Sequence, residues 1–207
     1  MSVERPILFT ASMVRALLDG SKTQTRRVVK LPHQNPLGKW ESFDWGGPNG
    51  GRTAQGETVP FQQTIAHTRT GEIICCPYGQ PGDRLWVRET WAAPHSEDAR
   101  PPRAIQCDQM RIHYAASEGR GGLLWRPSIH MPRWTSRVTL EIVSVRVERL
   151  QTISRGDAMG EGCPFPNMAQ GDDPRQWYAD LWEQINGPGT WVANPWVWVI
   201  EFKKALP

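Results

Sequence analysis

The chain has 207 residues and a net charge of only +3, which suits one domain with a core of useful size. No run approaches the ~18 apolar residues of a membrane span, and residues 1–6 carry Glu4 and Arg5 where a secretion signal would be apolar. A cytoplasmic protein is expected, and the weak charge permits a nucleic-acid partner without arguing for one.

Residues 12–20 read as a short helix. Ser12 can cap it, Met13, Val14, Leu17 and Leu18 recur at helical spacing, and Gly20 suits the left-handed position after its end. Residues 23–29 then read as extended, with Thr25 and the β-branched pair Val28 and Val29. Residues 31–81 hold no sustained period. So long a structureless loop is unusual, so this stretch is an insertion with a task or contains strands without a signature. A hairpin over 64–74, turning at Thr70-Gly71, is one candidate.

After the turn Pro81-Gly82-Asp83, residues 85–91 read as a strand with Leu85, Val87 and Glu89 on one face. Residues 111–115 are another candidate. The clearest β signal covers 137–150. Val138, Leu140 and Ile142 alternate, and then the phase flips to Val143, Val145 and Val147, which predicts a bulge or a sharp bend. Residues 154–161 read as a helix with a capping box from Ser154 to Asp157. Asp173-Pro174 opens another as N-cap and first residue, with Asn186-Gly187 stopping it. Residues 196–202 form a strand with Trp196, Trp198, Ile200 and Phe202 on one face and Val197 and Val199 on the other. Being apolar on both sides, it should lie inside its sheet. Irregular strand spacing, three short helices and the absence of a βαβ rhythm predict an α+β barrel. The 19 glycines and 18 prolines agree with many turns.

Two compositional features leave alternatives open. Cys75, Cys76, Cys107 and Cys163 form no C-x-x-C pair, so they read as reduced structural thiols rather than metal ligands. Several of the 11 tryptophans, such as Trp40, Trp45 and Trp91, lie in loop-like segments. They can stack bases or pack long loops onto the barrel. No P-loop, dinucleotide fingerprint or H-E-x-x-H occurs, and the five histidines show no ligand spacing, so no metal and no cofactor is implied.

The densest reactive cluster is Gly20-Ser21-Lys22-Thr23-Gln24-Thr25-Arg26-Arg27, at a helix exit. Lys22 and Thr25 would face opposite ways on a regular strand. They converge if Lys22 lies in the turn. A threonine hydroxyl needs a base to become a nucleophile, and a lysine can serve if burial or neighbouring cations lower its pKa. A solvated basic turn or a phosphate-binding patch fits the same residues. Glu161 lies between Gly160 and Gly162, which allow close approach, and a carboxylate at a helix C-terminus opposes the dipole. Arg88-Glu89-Thr90-Trp91 could read a base edge and stack on its face, or form an ordinary strand-end ion pair.

The order Gly20-x-Lys22-Thr23-x-Thr25-x-Arg27, Gly82-Asp83, Asp157-Ala158-x-x-Glu161 and Val199-Ile200-Glu201-Phe202 resembles the ASCH family. ASCH domains are PUA-like β-barrels, and the likeness covers roughly half of the chain. Residues 12–29, 77–92 and 129–162 further resemble ASCH proteins of phage and prophage genomes. The resemblance implies a single ASCH domain over 1–207 with short helices and two long loop insertions, 31–76 and 93–128. The small bacterial members are N4-acetylcytidine amidohydrolases. Their roles fall on Thr25 as nucleophile, Lys22 as base and Glu161 beside the leaving amine, with Arg27, Arg88, Glu89 and Trp91 as substrate-binding candidates. Other ASCH proteins are thought to bind RNA, and at least one is reported to cut it. The partner implied is therefore a nucleoside, a modified base or single-stranded RNA. The chain is about twice as long as the small hydrolases, and Arg88 and Glu89 depart from them, which points to a different substrate. The 31–76 insertion is expected to border the cleft mouth.

Overall fold

The strand that is apolar on both faces organises the molecule. The computed structural model describes residues 2–46, 50–52, 55–59, 61–105, 110–118, 121–164 and 173–205. In chain order these form β1 (Glu4–Leu8), α1 (Ala11–Asp19), β2 (Gln24–Val28), β3 (Trp40–Trp45), β4 (Gly51–Arg52), β5 (Thr58–Val59), β6 (Gln62–His67), β7 (Ile73–Ile74), β8 (Arg84–Arg88) and β9 (Trp91–Ala92). Then come β10 (His113–Tyr114), α2 (Ala115–Glu118), β11 (Thr139–Arg149), α3 (Arg155–Gly160), α4 (Pro174–Asn186) and β12 (Trp196–Lys204). The architecture is α+β. A five-stranded sheet runs β1-β8-β11-β12-β2, with β1 and β8 parallel and the other pairs antiparallel. Its ladders, among the described residues, leave β1 and β2 as edges. Among the described residues no helix is long and apolar enough to cross a membrane.

β12 is paired on both sides. Trp198, Ile200 and Phe202 enter one core with Val14 and Leu17 of α1, Ile7, Leu85 and Val87. Val197 and Val199 enter a second with Tyr178 and Trp182 of α4, Leu150, Ile153 and Ala158. Thus α1 covers one face of the sheet and α4 the other, and β2 runs along the edge between them.

The phase flip in β11 is a register shift against β12 between Ile142 and Ser144, leaving Val143 half exposed. The extra residue turns each following side chain to the opposite face. The capping box at α3 is present, with Ser154 and Asp157 each bonding the other's backbone. Asp173 caps α4, and Gly187 follows it at φ +100°. Two boundaries differ from expectation. Thr10 caps α1, its hydroxyl accepting from the Met13 N–H at 3.4 Å, while the Ser12 hydroxyl lies 3.0 Å from that of Thr10. The strand expected over 85–91 ends at Arg88 and resumes at Trp91.

The 31–76 insertion is not structureless. β3, β6 and β7 make a three-stranded sheet, with the expected turn after His67 and Gly71 at φ +70°. β3 was invisible because five of its six residues are exposed, so its side chains do not alternate in polarity. The sheet docks through Trp40 and Ile65 on the first core, and the Trp196 indole donates to the Trp40 carbonyl at 3.0 Å. The 93–128 insertion closes a small third core of Trp91, Ala93, Ile105 and Met131. Cys75 and Cys76 are free thiols, burial pushing Cys76 up to about 11, Cys163 is buried, and Cys107 lies outside the described residues.

Candidate functional site at the free edge of strand β2

The site begins where α1 must end. Gly20 adopts φ +85°, a left-handed conformation that costs glycine little, and the Lys22 N–H donates back to the Ala16 carbonyl at 2.9 Å. The chain then meets the end of α3. Thr23 N–H donates to the Gly160 carbonyl at 2.8 Å, and Lys22 and Glu161 form an isolated antiparallel bridge. This approach requires Gly162. It sits at φ +95°, and a Cβ there would lie 3.0 Å from the Ala16 Cβ and 3.3 Å from the Lys22 Cβ.

Main-chain proximity brings the charges together. Lys22 Nζ donates to the Glu161 carbonyl at 2.9 Å and to Glu161 Oε2 at 2.7 Å. Neither side chain is more than 2% exposed. Arg26 NH1 reaches Glu161 Oε1 at 3.2 Å, while its NH2 lies 3.3 Å from Glu148 and 3.4 Å from Asp157. Arg146 continues the chain of charges from Glu148 and Asp157 to Glu201. Burial lowers the Lys22 pKa. Glu161 opposes that shift, and Arg27 and Arg26 reinforce it. Burial would raise Asp157, but hydrogen bonds from Ser154 and Gln24 and the charge of Arg26 bring it down to about 2.

Thr25 is paired with Ile200 and is 2% exposed. Thr25 is among the residues that border a cavity of about 60 Å³, with Arg27, Glu161 and Tyr178. No described residue is hydrogen-bonded to its hydroxyl. Lys22 therefore bonds to Glu161 rather than to Thr25, and Glu161 shares with Thr25 only the lining of this cavity. A larger hollow of about 330 Å³ lies between α1 and α4. Ser12, Met13, Arg15, Asp19 and Ser21 line one side and Trp177 and Leu181 the other, with Glu161 and Gly162 at its border. Glu161 and Met13 line both spaces. Among the described residues none from 31–76 lines either one, so the expectation that this insertion borders the cleft is corrected. It docks instead on the core that includes Trp196 and Trp198.

Comparison with known proteins yields no match. No family model, no curated protein and no solved structure matches the chain. The site rests on its own geometry.

The remaining candidates divide. Arg27 lines the small cavity, its NH2 donates to the Leu8 carbonyl at 2.6 Å, and its guanidinium lies 5.3 Å from the Phe9 ring centre. Lys22 Nζ lies 5.7 Å from the same ring. Arg88 instead borders a separate hollow of about 450 Å³ with Arg103 and His130 and donates to the Ile129 carbonyl. Glu89 is 1% exposed and takes a fork of bonds from Arg137 at 2.8 and 3.0 Å. Trp91 is fully buried, with the Arg126 guanidinium 5.5 Å from its ring centre, so in this conformation no ring face is open for stacking.

Sequence reasoning assigned Arg26 only to the background of neighbouring cations and overlooked Tyr178. Tyr178 reads as part of the apolar face of α4. Its hydroxyl meets the Glu161 carboxylate: burial first, and then that negative charge, push the phenol well above its ordinary pKa. A helix periodicity cannot report such a partner, which lies 17 residues away in sequence.

Proposed function

We propose that the cleft at the β2 edge is the active site of an ASCH-type amidohydrolase acting on N4-acylated cytosine nucleosides or related modified bases. The supporting observation is the buried contact between Lys22 and Glu161, with Glu161 also bordering the cavity that holds Thr25. In this reading the five-stranded sheet is the body of a PUA-like barrel, its bend supported by the bulge at Val143, and the protein works in the cytoplasm.

The two spaces suit two parts of one substrate. The larger one falls in the size range of small-molecule pockets, and Trp177, Leu181 and Met13 offer apolar surface for a base. The smaller one is below the size of a pyrimidine ring and suits an acyl group. Thr25 Oγ attacks the acyl carbonyl carbon, and Lys22, in its neutral form, leaves Glu161 to take the hydroxyl proton. The carbon–nitrogen bond then breaks. The leaving exocyclic nitrogen takes a proton from the Lys22–Glu161 pair, and water hydrolyses the acyl-threonine to the free acid. Burial of Lys22 favours the neutral amine this requires. Arg26 and Tyr178 hold the Glu161 carboxylate in place.

The test is turnover of N4-acetylcytidine, followed as loss of the acyl chromophore. Lys22→Ala, Thr25→Ala and Glu161→Ala should each lower kcat/KM by roughly 10²-fold or more. Turnover unchanged by all three substitutions refutes the assignment.

A further inference from the structure

The cavity of about 60 Å³ beside Thr25 is bordered by residues whose N–H groups lack acceptors. Among the described residues, ten buried side-chain nitrogen and oxygen atoms have no hydrogen-bond partner. Three of the ten belong to residues that line this one cavity: Arg26 Nε, Arg27 Nε and Trp182 Nε1. The Arg26 side chain is 0% exposed and Trp182 is 4% exposed, so bulk water serves neither group. A buried N–H without an acceptor is costly and calls for an explanation.

All three atoms are donors, and two of them belong to cations. The carboxylate in the lining is already engaged, since Glu161 Oε1 accepts from Arg26 Nη1 and Oε2 from Lys22 Nζ. Asn186, another lining residue, turns its amide nitrogen to the Trp182 carbonyl at 3.1 Å. What the cavity lacks is an acceptor from outside the chain. Elsewhere an unpartnered donor has an acceptor within reach of one bridging water, as Arg126 Nη1 and Asp98 Oδ1 stand 3.9 Å apart. The cavity volume is several times the roughly 10–15 Å³ that one water needs, and it matches an acetate-sized group. Val28, Ile185 and Asn186 line it and are exposed, which puts one side of it at the surface.

We propose that this cavity is an oxyanion pocket for a short acyl or carboxylate group, with Trp182 Nε1 and Arg26 Nε as the donors to its oxygen. Binding of a short carboxylate stands on the cavity alone, whereas the catalytic part rests on the proposed function. As the bond from Thr25 Oγ to the acyl carbon forms, the carbonyl electron pair moves onto oxygen, and the two N–H groups meet the charge. The pair returns to re-form the carbonyl as the carbon–nitrogen bond breaks, and the leaving nitrogen takes its proton from the Lys22–Glu161 pair. The same donors act again when water attacks the acyl-threonine and releases the free acid. Fixed donors in a site closed to water stabilise such an oxygen more than they would in solution. The size of the pocket restricts the acyl group to short chains.

The experiment takes the full chain, labelled with heavy nitrogen at its tryptophans, and follows the indole N–H resonances during titration with sodium acetate. Sodium chloride at equal ionic strength and the bulkier trimethylacetate serve as controls. Trp182→Phe keeps an aromatic ring, removes the donor and assigns the Trp182 resonance by its loss, and a thermal melt establishes that the variant is folded. The expected result is a saturable shift of that resonance with acetate, absent with chloride and about ten-fold or more weaker with trimethylacetate, which the cavity is too small to admit. In turnover of N4-acetylcytidine, Trp182→Phe should lower kcat roughly 10²-fold. KM should stay within about two-fold, because a donor to a developing charge adds little to binding of the neutral carbonyl. A loss of packing alone would lower the melting temperature without this split between kcat and KM. If Trp182→Phe does not fold, the unaltered protein still decides: one of its 11 indole resonances should move with acetate, and movement of none overturns the pocket. An equal response to trimethylacetate also overturns it. An unaltered kcat in folded Trp182→Phe removes the oxyanion role and leaves the amidohydrolase reading standing. A saturable acetate shift in a protein without amidohydrolase activity keeps the carboxylate pocket and removes the hydrolytic reading alone.

Discussion

Glu161 and Glu89 are both buried carboxylates beside cations, and both are candidates from the sequence, yet their surroundings differ in kind. Glu161 meets Lys22 on one oxygen, Arg26 on the other and the Tyr178 hydroxyl besides, and it borders two open spaces. Among the described residues Glu89 is held by a two-bond fork from Arg137 alone, which also bonds Ser117 and lies 4.0 Å from the centre of the Tyr114 ring. A carboxylate gripped by one guanidinium is a structural pair whose loss leaves a stranded charge. A carboxylate with several partners of different acidity, next to room for a ligand, can hand protons over. The difference teaches that burial and ion pairing do not mark a site by themselves. In the proposed reading, redundant support and accessible space do.

The largest separation between the two regions should come from removing one cation in each. Lys22→Met is expected to lower kcat/KM for N4-acetylcytidine by 10²- to 10⁴-fold with a modest change in stability, because Arg26 and Tyr178 still hold Glu161. The lowered Lys22 pKa works in the same direction. A lysine whose folded pKa lies below its unfolded value costs stability while charged, and that cost is relieved as pH rises through the folded pKa toward the unfolded one. Arg137→Leu should do the reverse, costing about 3–5 kcal/mol of unfolding free energy while turnover per folded molecule stays the same. Denaturant melts and kinetics on both variants measure this. Lost turnover in folded Arg137→Leu protein would place Glu89 in the site and break the contrast.

Asp157 sharpens the picture at the outer end of the charge network. Its pKa falls from 3.8 to about 2, worth about 2 kcal/mol at neutral pH. A depressed carboxylate stabilises the fold fully above its unfolded pKa and loses that contribution as pH drops through the folded one. Asp157→Asn should therefore lower stability by about 2 kcal/mol at pH 7, with the gap to the unaltered protein closing between about pH 4 and pH 2. A constant gap across that range would mean that the capping box, rather than the charge, is responsible.

The smallest effect concerns backbone approach. Gly162→Ala forces a side chain into φ +95° and against Ala16, at a cost of about 1–2 kcal/mol. Because the new methyl group also meets the Lys22 stem, KM or kcat should shift more than the melting temperature suggests. A stability loss with unaltered kinetics would show that the Lys22–Glu161 contact does not depend on this close approach.

Much of the framework was legible. Caps and breakers act over three or four residues, so Ser154 with Asp157, Asp173 with Pro174, and Gly187 marked their helices directly. The flip at Val143 was readable because side-chain period in a strand is two, and one extra residue inverts it. Thr10 taking the cap from Ser12 was not, since either hydroxyl suits the position and only the path of the chain from β1 selects between them. β3 escaped because its exposed face carries Phe43 and Trp45 among polar residues, so no amphipathic pattern remained.

For the candidate site, the order of residues by itself indicated which side chains to weigh as reactive, that Lys22 follows a helix exit, and that glycines flank Glu161. Those are local matters of covalent spacing and backbone permission. Only the tertiary structure decided that Glu161 meets Lys22 across 139 residues, that Arg26 and Tyr178 complete its surroundings, and that Glu89 and Trp91 are consumed by structure elsewhere. Those pairings come from α1 and α4 settling on opposite faces of one sheet. That choice is made by apolar burial over the whole molecule, and no short stretch of sequence contains it.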